Sequence, residues 1–545
     1  MEAVDAFAEK HKLTAEGREE LNRLVEAATE EEEEEQPTLA LFAKVKARQR
    51  WGEPDKTMET DGLSLFLDLV FVGVCFLIGA MLHHGYLACV DGGTSYEAVS
   101  AGCYGSACHD ASGTHESHGR VLESAHHEVE CVGLHVSLGH VFIFYLCLYS
   151  FWVMDVMWDA KYEARGKLQL AIEVTILFCI INTASCIHNI QELQENGQTW
   201  WWFCFFSMAI LSMWMLRYLM MAFTCEKPNE RREAGDMVVT LLLQLACLGA
   251  AWGCASYPEN KDAHLAMLAL FVVFPFIWLL RASASFLWHK IKHDKSVAEA
   301  TYRETRTPMN QKFFARRINE FMMLMIGETV LQLVIVPWPR HNPPADGVYD
   351  VDYFVNLTLE QRRFIKCMFS GLVIALMILH CNLESGPSPG KPLLIDKTDA
   401  HFVVFVLLNM FKGMAIMLVG HGIEFALLDT EGEASKSGGV DQYLHFGLAC
   451  AGTFLLQMLL KCFHDGIWEF LGPIITFKSP LLSTLAICRF MACNAMWAIA
   501  WIEHDPWQLV YFQAGLTSFC AVATHIEKHI RYWRLGGNAE KVVVS

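Results

Sequence analysis

Apolar residues along this chain gather into blocks of roughly 18–25, the length a helix needs to cross about 30 Å of hydrocarbon. Twelve blocks stand out, near 63–82, 135–157, 168–188, 200–224, 237–255, 263–286, 319–336, 364–381, 401–420, 443–462, 481–501 and 507–525. Those at 319–336 and 507–525 are short or interrupted by polar residues. The pattern predicts an all-α, polytopic helical membrane protein of about twelve transmembrane helices.

Between the blocks, lysine and arginine alternate. The segment before the first block carries nine, and the connections after the second and fourth hold Lys161, Arg165, Lys167 and then Lys227, Arg231, Arg232. The 287–318 connection holds eight, and the tail holds Lys528, Arg531, Arg534 and Lys541. The intervening loops are nearly free of them, apart from Arg340, Arg362 and Arg363 around 337–363. Because cytoplasmic loops concentrate basic residues, both ends are expected in the cytoplasm. The organisation expected is a soluble acidic arm at 1–60 and a first helical half at 61–286. A basic linker at 287–318, a second half at 319–525 and a tail at 526–545 follow. A six-plus-six parallel repeat fits this layout.

Composition agrees with a lipid environment. The 545 residues are 53% hydrophobic and 19% charged, against about a quarter charged in soluble proteins. The net charge of −18 owes much to the arm, with its glutamate run Glu30 to Glu35, and argues against nucleic acid as a partner. The opening MEAVDAFAEKHK has no basic flank and short apolar run, so the first block is expected to serve as its own insertion signal.

The long connection at 85–134 holds Cys89, Cys103, Cys108 and Cys131, and by the charge pattern it lies outside the cytoplasm. Two disulfides are expected there, with three pairings open. Its histidines (His109, His115, His118, His126, His127) match no metal-ligand spacing, and no metal or cofactor is expected. Asn356-Leu-Thr is a glycosylation sequon on the predicted outer side.

Charged residues inside the blocks carry the chemistry. Asp68 and Glu328 each fall about six residues from the predicted inner end of a block, roughly 9–12 Å deep at 1.5 Å per residue. A charge there costs at least about 2.5 kcal/mol, so each must face protein or water. Glu173, Arg217, Lys412 and Arg489 fall in the same slab, and Asn182, Asn409 and Asn494 are available to extend a network. Static ion pairs that set helix packing are one outcome. The other is a polar cavity in which Asp68 or Glu328 binds a proton, a cation or a small polar solute.

Two of these stretches resemble the bacterial low temperature requirement A family. Ser64-Leu-Phe-Leu-Asp68-Leu-Val-Phe-Val72 is similar to that family's opening span, and Ile326-Gly327-Glu328-Thr329-Val330 to its glycine–glutamate–serine motif. The segment from His401 to Gly420, followed by His421 and Glu424, is similar to a third. Ser64 stands where the family has glutamate; Arg316 replaces the glutamate of a Glu-Arg pair whose arginine is matched by Arg317. The resemblance implies a multi-pass membrane protein and leaves its activity open. No HExxH motif or phosphate-cradling glycine loop occurs, and an enzyme is not expected. A transporter or channel-like protein is expected, with a sensor built on the outer loop as the alternative.

Overall fold

The computed structural model describes residues 45–48, 62–90, 134–163, 166–187, 197–225, 227–257, 261–277, 307–336, 358–386, 399–428, 440–467, 474, 479–502 and 505–534. These contain twelve α-helices: α1 Gly62–Val90, α2 Leu134–Lys161, α3 Lys167–Ser185, α4 Gly197–Thr224, α5 Pro228–Ala255, α6 Lys261–Val273, α7 Gln311–Ile335, α8 Leu359–Glu384, α9 Asp399–Leu428, α10 Val440–Asp465, α11 Pro480–Ile502 and α12 Pro506–Arg534. Ten of them are long and apolar enough to cross a membrane. In α1 and α6 the described apolar stretches, Ser64–Gly79 and Asp262–Phe276, are shorter. Pro275 converts the end of α6 into a 3-10 turn, Phe274–Phe276, because proline removes an amide donor from the helix ladder.

The surface is apolar where a soluble bundle would be polar. Phe178, Phe223, Val334 and Ile502 are exposed, while Asp68, Arg217, Arg317, Glu328 and Lys412 are enclosed. This inversion suits lipid as the solvent, since hydrocarbon tails cost apolar side chains nothing and penalise charge. The chain is a multi-pass integral membrane protein.

Neighbour relations divide the helices into two closed sets. In the first, α1 packs on α2 and α3, then α3 on α4, α4 on α5, α5 on α6, and α6 returns to α2. In the second, α7 packs on α8 and α9, then α9 on α10, α10 on α11, α11 on α12, and α12 returns to α8. The sets meet at a seam where α1 and α2 face α7 and α9. Accordingly α2 is the most enclosed span, with 89% of its apolar window buried against 28% for α5.

At two places a helix runs past the predicted apolar block. Helix α7 begins at Gln311 rather than near 319, so the last part of the expected basic linker is helical. Asn310 caps it, its side chain accepting from Phe313 N at 3.0 Å, and its own amide donates to Ala160 O at 2.9 Å. Helix α12 continues to Arg534, so Glu527 is helical rather than in the tail. In both cases polar residues end the apolar run before the helix ends, because buried partners satisfy them. Part of the expected arm is also fixed. Strand β1 (Lys46–Ala47) pairs antiparallel with β2 (Tyr162–Glu163), and Arg48 Nε donates to Tyr162 O at 2.6 Å. The rest of the arm, the 287–306 linker, the 535–545 tail, Asn356, Cys103, Cys108, Cys131 and the loop histidines lie outside the described residues. Cys89 lies in the last turn of α1, where side chains are not described.

Candidate functional site

Asp68 is fully enclosed one and a half turns into α1, and its partner is a residue the expected slab did not include. Arg317 of α7 donates from Nη1 to Asp68 Oδ2 at 2.7 Å and from Nη2 to Oδ1 at 3.0 Å, a bidentate fork. Trp152 Nε1 of α2 adds a third donor to Oδ1 at 2.8 Å, and Arg317 Nη2 also reaches Ser64 O at 3.1 Å. Ser64 Oγ donates to Asp159 Oδ2 at 2.9 Å. One carboxylate thus clasps α1, α2 and α7 with both oxygens occupied. Arg317 escaped the sequence reading because it stands among basic residues before the apolar block; its match in the resembled Glu-Arg pair was the available signal.

Beside this clasp, Arg217 of α4 bonds Glu173 of α3 through Nη2 and reaches Asp155 Oδ1 of α2 at 3.5 Å. Its guanidinium lies over Trp214 and Trp158, at 4.6 and 5.2 Å from the ring centroids, which supplies the low-hydration surroundings arginine tolerates. Glu173 and Arg217, expected only to share one slab, are thus a pair. Asp155 and Asp159, one turn apart on α2, were missed although Asp155 falls inside the second block. With Ser64 and Glu173 they line a small acidic cleft between α1, α2 and α3.

Glu328 belongs elsewhere. It lies three turns beyond Arg317 on α7, about 16 Å along the axis from the level of Asp68. The early start of α7 places it toward the opposite end of the bundle, so the equal depth expected for the two acids does not hold. Gln332 Nε2 donates to its Oε1 at 2.5 Å, and His421 Nε2 of α9 stands 3.8 Å from the same oxygen. His421 Nδ1 lies 3.1 Å from Glu424 Oε2. Glu328 Oε2, Gln332 Oε1 and His421 Nε2 are buried without a hydrogen-bond partner among the described residues.

Small residues build this arrangement. A Cβ on Gly79 of α1 would lie 1.3 Å from His421 Nε2, so the glycine is the floor on which the imidazole rests. A Cβ on Gly420 would come within 3.2 Å of Thr329 Cα. That close approach of α7 and α9 is fastened by Thr329 Oγ1 donating to Ile416 O at 3.3 Å.

A line of side chains connects the two ends of the seam. Trp152 and Tyr149 have ring centroids 5.6 Å apart, and Tyr149 and Tyr145 5.8 Å. Both tyrosine hydroxyls are buried without a partner among the described residues. Cys75 of α1 lies within electrostatic reach of Tyr145 on one side and Glu328 on the other.

The remaining expected residues lie in the second helix set. Lys412 Nζ donates to Asn382 Oδ1 at 2.8 Å and has no carboxylate within ion-pair distance among the described residues. Arg489 Nη1 pairs with Glu527 Oε2 at 2.5 Å, and Arg531 Nε holds the other oxygen at 2.8 Å. Among the described residues, Asn182, Asn409 and Asn494 join no network through their side-chain amides: each Nδ2 donates to the carbonyl one turn back on its own helix, Phe178, Phe405 and Phe490 respectively.

The fold and these buried charges define a helical membrane protein that, among the described residues, has charge-matched ion-pair clasps and an acid–histidine cluster in which Glu328 has no arginine or lysine partner. No family model, curated protein or solved structure matches the chain.

Proposed function

We propose that the protein is a transporter that moves protons along the seam between its two helix sets, with Glu328, His421 and Glu424 as the proton-binding group. The observation that carries this reading is the contrast in saturation. Asp68 has both oxygens held by donors from Arg317 and Trp152 and its charge matched by the guanidinium; among the described residues, Glu328 and His421 keep buried polar atoms with no hydrogen-bond partner and no arginine or lysine pairs with Glu328. Such atoms cost about 1–3 kcal/mol each, a cost that suits groups which take up and release protons or water during a cycle. Asp68, Arg217 and Glu173 then act as packing clasps.

The route proposed runs from the acidic cleft at Asp155, Asp159 and Glu173 past Tyr149, Tyr145 and Cys75 to Glu328. Bridging waters relay the proton across each gap, since neither tyrosine hydroxyl has a hydrogen-bond partner among the described residues. In this reading the cleft opens to the cytoplasm, and its three carboxylates against one guanidinium draw cations inward. The matching neighbour order of the two helix sets supports a six-plus-six parallel repeat with the path at its junction. Asp68 and Glu328 sit in the two stretches that resemble the low temperature requirement A family, and the proposal takes the chain as a member of it.

The test is proton uptake into liposomes holding the full chain, driven by a potassium diffusion potential and followed with an entrapped pH dye. Glu328→Gln and His421→Ala are expected to abolish uptake while remaining folded. Wild-type uptake by both variants would sink the proposal.

A further inference from the structure

On the second helix set, three histidines and a glutamate, all side chains of metal-ligating type, stand near one another where α8 ends against α12. His380 and Glu384 are one turn apart on α8, and His525 and His529 one turn apart on α12. The i, i+4 spacing puts each pair on one helix face. Ligand atoms of His380, Glu384 and His525 all lie within 4.8 Å of one another. His525 Nε2 and His529 Nε2 are 3.1 Å apart, with ring centroids at 4.5 Å; the His380 and His525 centroids are 5.6 Å apart. His525 Nδ1 is 4.0 Å from Glu384 Oε1.

We propose that His380, Glu384, His525 and His529 form a binding site for a divalent transition metal ion of the zinc type. Three imidazoles and a carboxylate are a donor set that zinc accepts in tetrahedral geometry. Metal–ligand bonds of about 2.0–2.2 Å imply ligand atoms roughly 3.3–3.5 Å apart. The His525–His529 nitrogen pair, at 3.1 Å, is close to that spacing, and the ligand atoms of His380, Glu384 and His525, within 4.8 Å of one another, reach it by side-chain rotation. Lys528 Nζ now sits 2.6 Å from Glu384 Oε2; a bound dication takes over that charge neutralisation and releases the lysine. The site is open to water, since His525 and His529 are exposed and His380 and Glu384 half-buried. Bound metal would fasten the last turn of α8 to α12, whose C-terminal part runs on past it.

The test uses the full-length chain in detergent, stripped with a chelator and titrated with Co²⁺ and then Zn²⁺. One equivalent of Co²⁺ is expected to give the visible ligand-field band of a tetrahedral site and to be displaced by Zn²⁺. His380→Ala/His525→Ala should lose that band and one equivalent of bound metal, with an unchanged metal-free melting temperature. Zn²⁺ should raise the melting temperature of the wild type alone, because an ion that binds only the folded chain stabilises it. If wild type and double variant bind the same number of equivalents, the metal is held elsewhere and the assignment is wrong.

Discussion

Removing Asp68 from its clasp tests the division between structural and functional acids most directly. Asp68→Asn keeps the shape but turns one of two acceptor oxygens into a donor facing the Arg317 fork, and strands a guanidinium with no exposed surface. Losing one partner of a buried pair costs about 3–5 kcal/mol, and the partly exposed Glu320, whose Oε2 lies 3.8 Å from Arg317 Nη1, offsets little of it. Arg317→Met should cost about the same. The double replacement Asp68→Asn/Arg317→Met removes both charges, keeps an acceptor for the Trp152 indole N–H and leaves chiefly the new amide donor unpaired, a loss of about 1–3 kcal/mol. The double variant should therefore fall short of the sum of the singles by at least about 3 kcal/mol. Helices unfolded within lipid or detergent find other partners, which draws each value toward its lower limit. Equilibrium unfolding in mixed micelles, followed by tryptophan fluorescence, measures the cycle. Additivity to within about 0.5 kcal/mol would mean that the two charges do not interact, and the clasp would be refuted.

Other consequences follow from the same geometry. Gly79→Ala should reduce proton uptake strongly and cost about 1–3 kcal/mol, because its Cβ occupies the place of His421 Nε2; adding His421→Ala should restore stability but not uptake, and unimpaired flux in Gly79→Ala would count against the path. Arg489→Met should cost about 1.5–3 kcal/mol rather than 3–5, since Glu527 keeps Arg531 at 2.8 Å; a larger loss than that of Arg317→Met in the same unfolding assay would contradict this. Phe178→Arg, at an exposed mid-helix position of α3, should impair membrane insertion by about 2.5–3.5 kcal/mol in a glycosylation-mapping assay. In water an exposed substitution would shift stability by about 0.5 kcal/mol or less, so normal insertion would argue against a lipid-facing surface there.

The many apolar helices of membrane-crossing length, ten among the described residues, could be read from the chain alone because lipid imposes its thickness on every crossing helix, and length and hydropathy are local properties. The same holds for the presence of buried charge: Asp68, Glu173, Arg217, Glu328, Lys412 and Arg489 announce themselves by standing where hydrocarbon should be. Which of them meet is another matter. Asp68 finds Arg317 across the seam, Glu328 finds His421 on α9, and Lys412 finds a neutral asparagine. Those partners depend on helix register, on the early start of α7 and on the glycines that let α1, α7 and α9 approach. Register is fixed by contacts between segments far apart in sequence, and such contacts leave no periodic mark along the chain. For the same reason His380, Glu384, His525 and His529 read as ordinary helical residues until α8 and α12 are laid side by side.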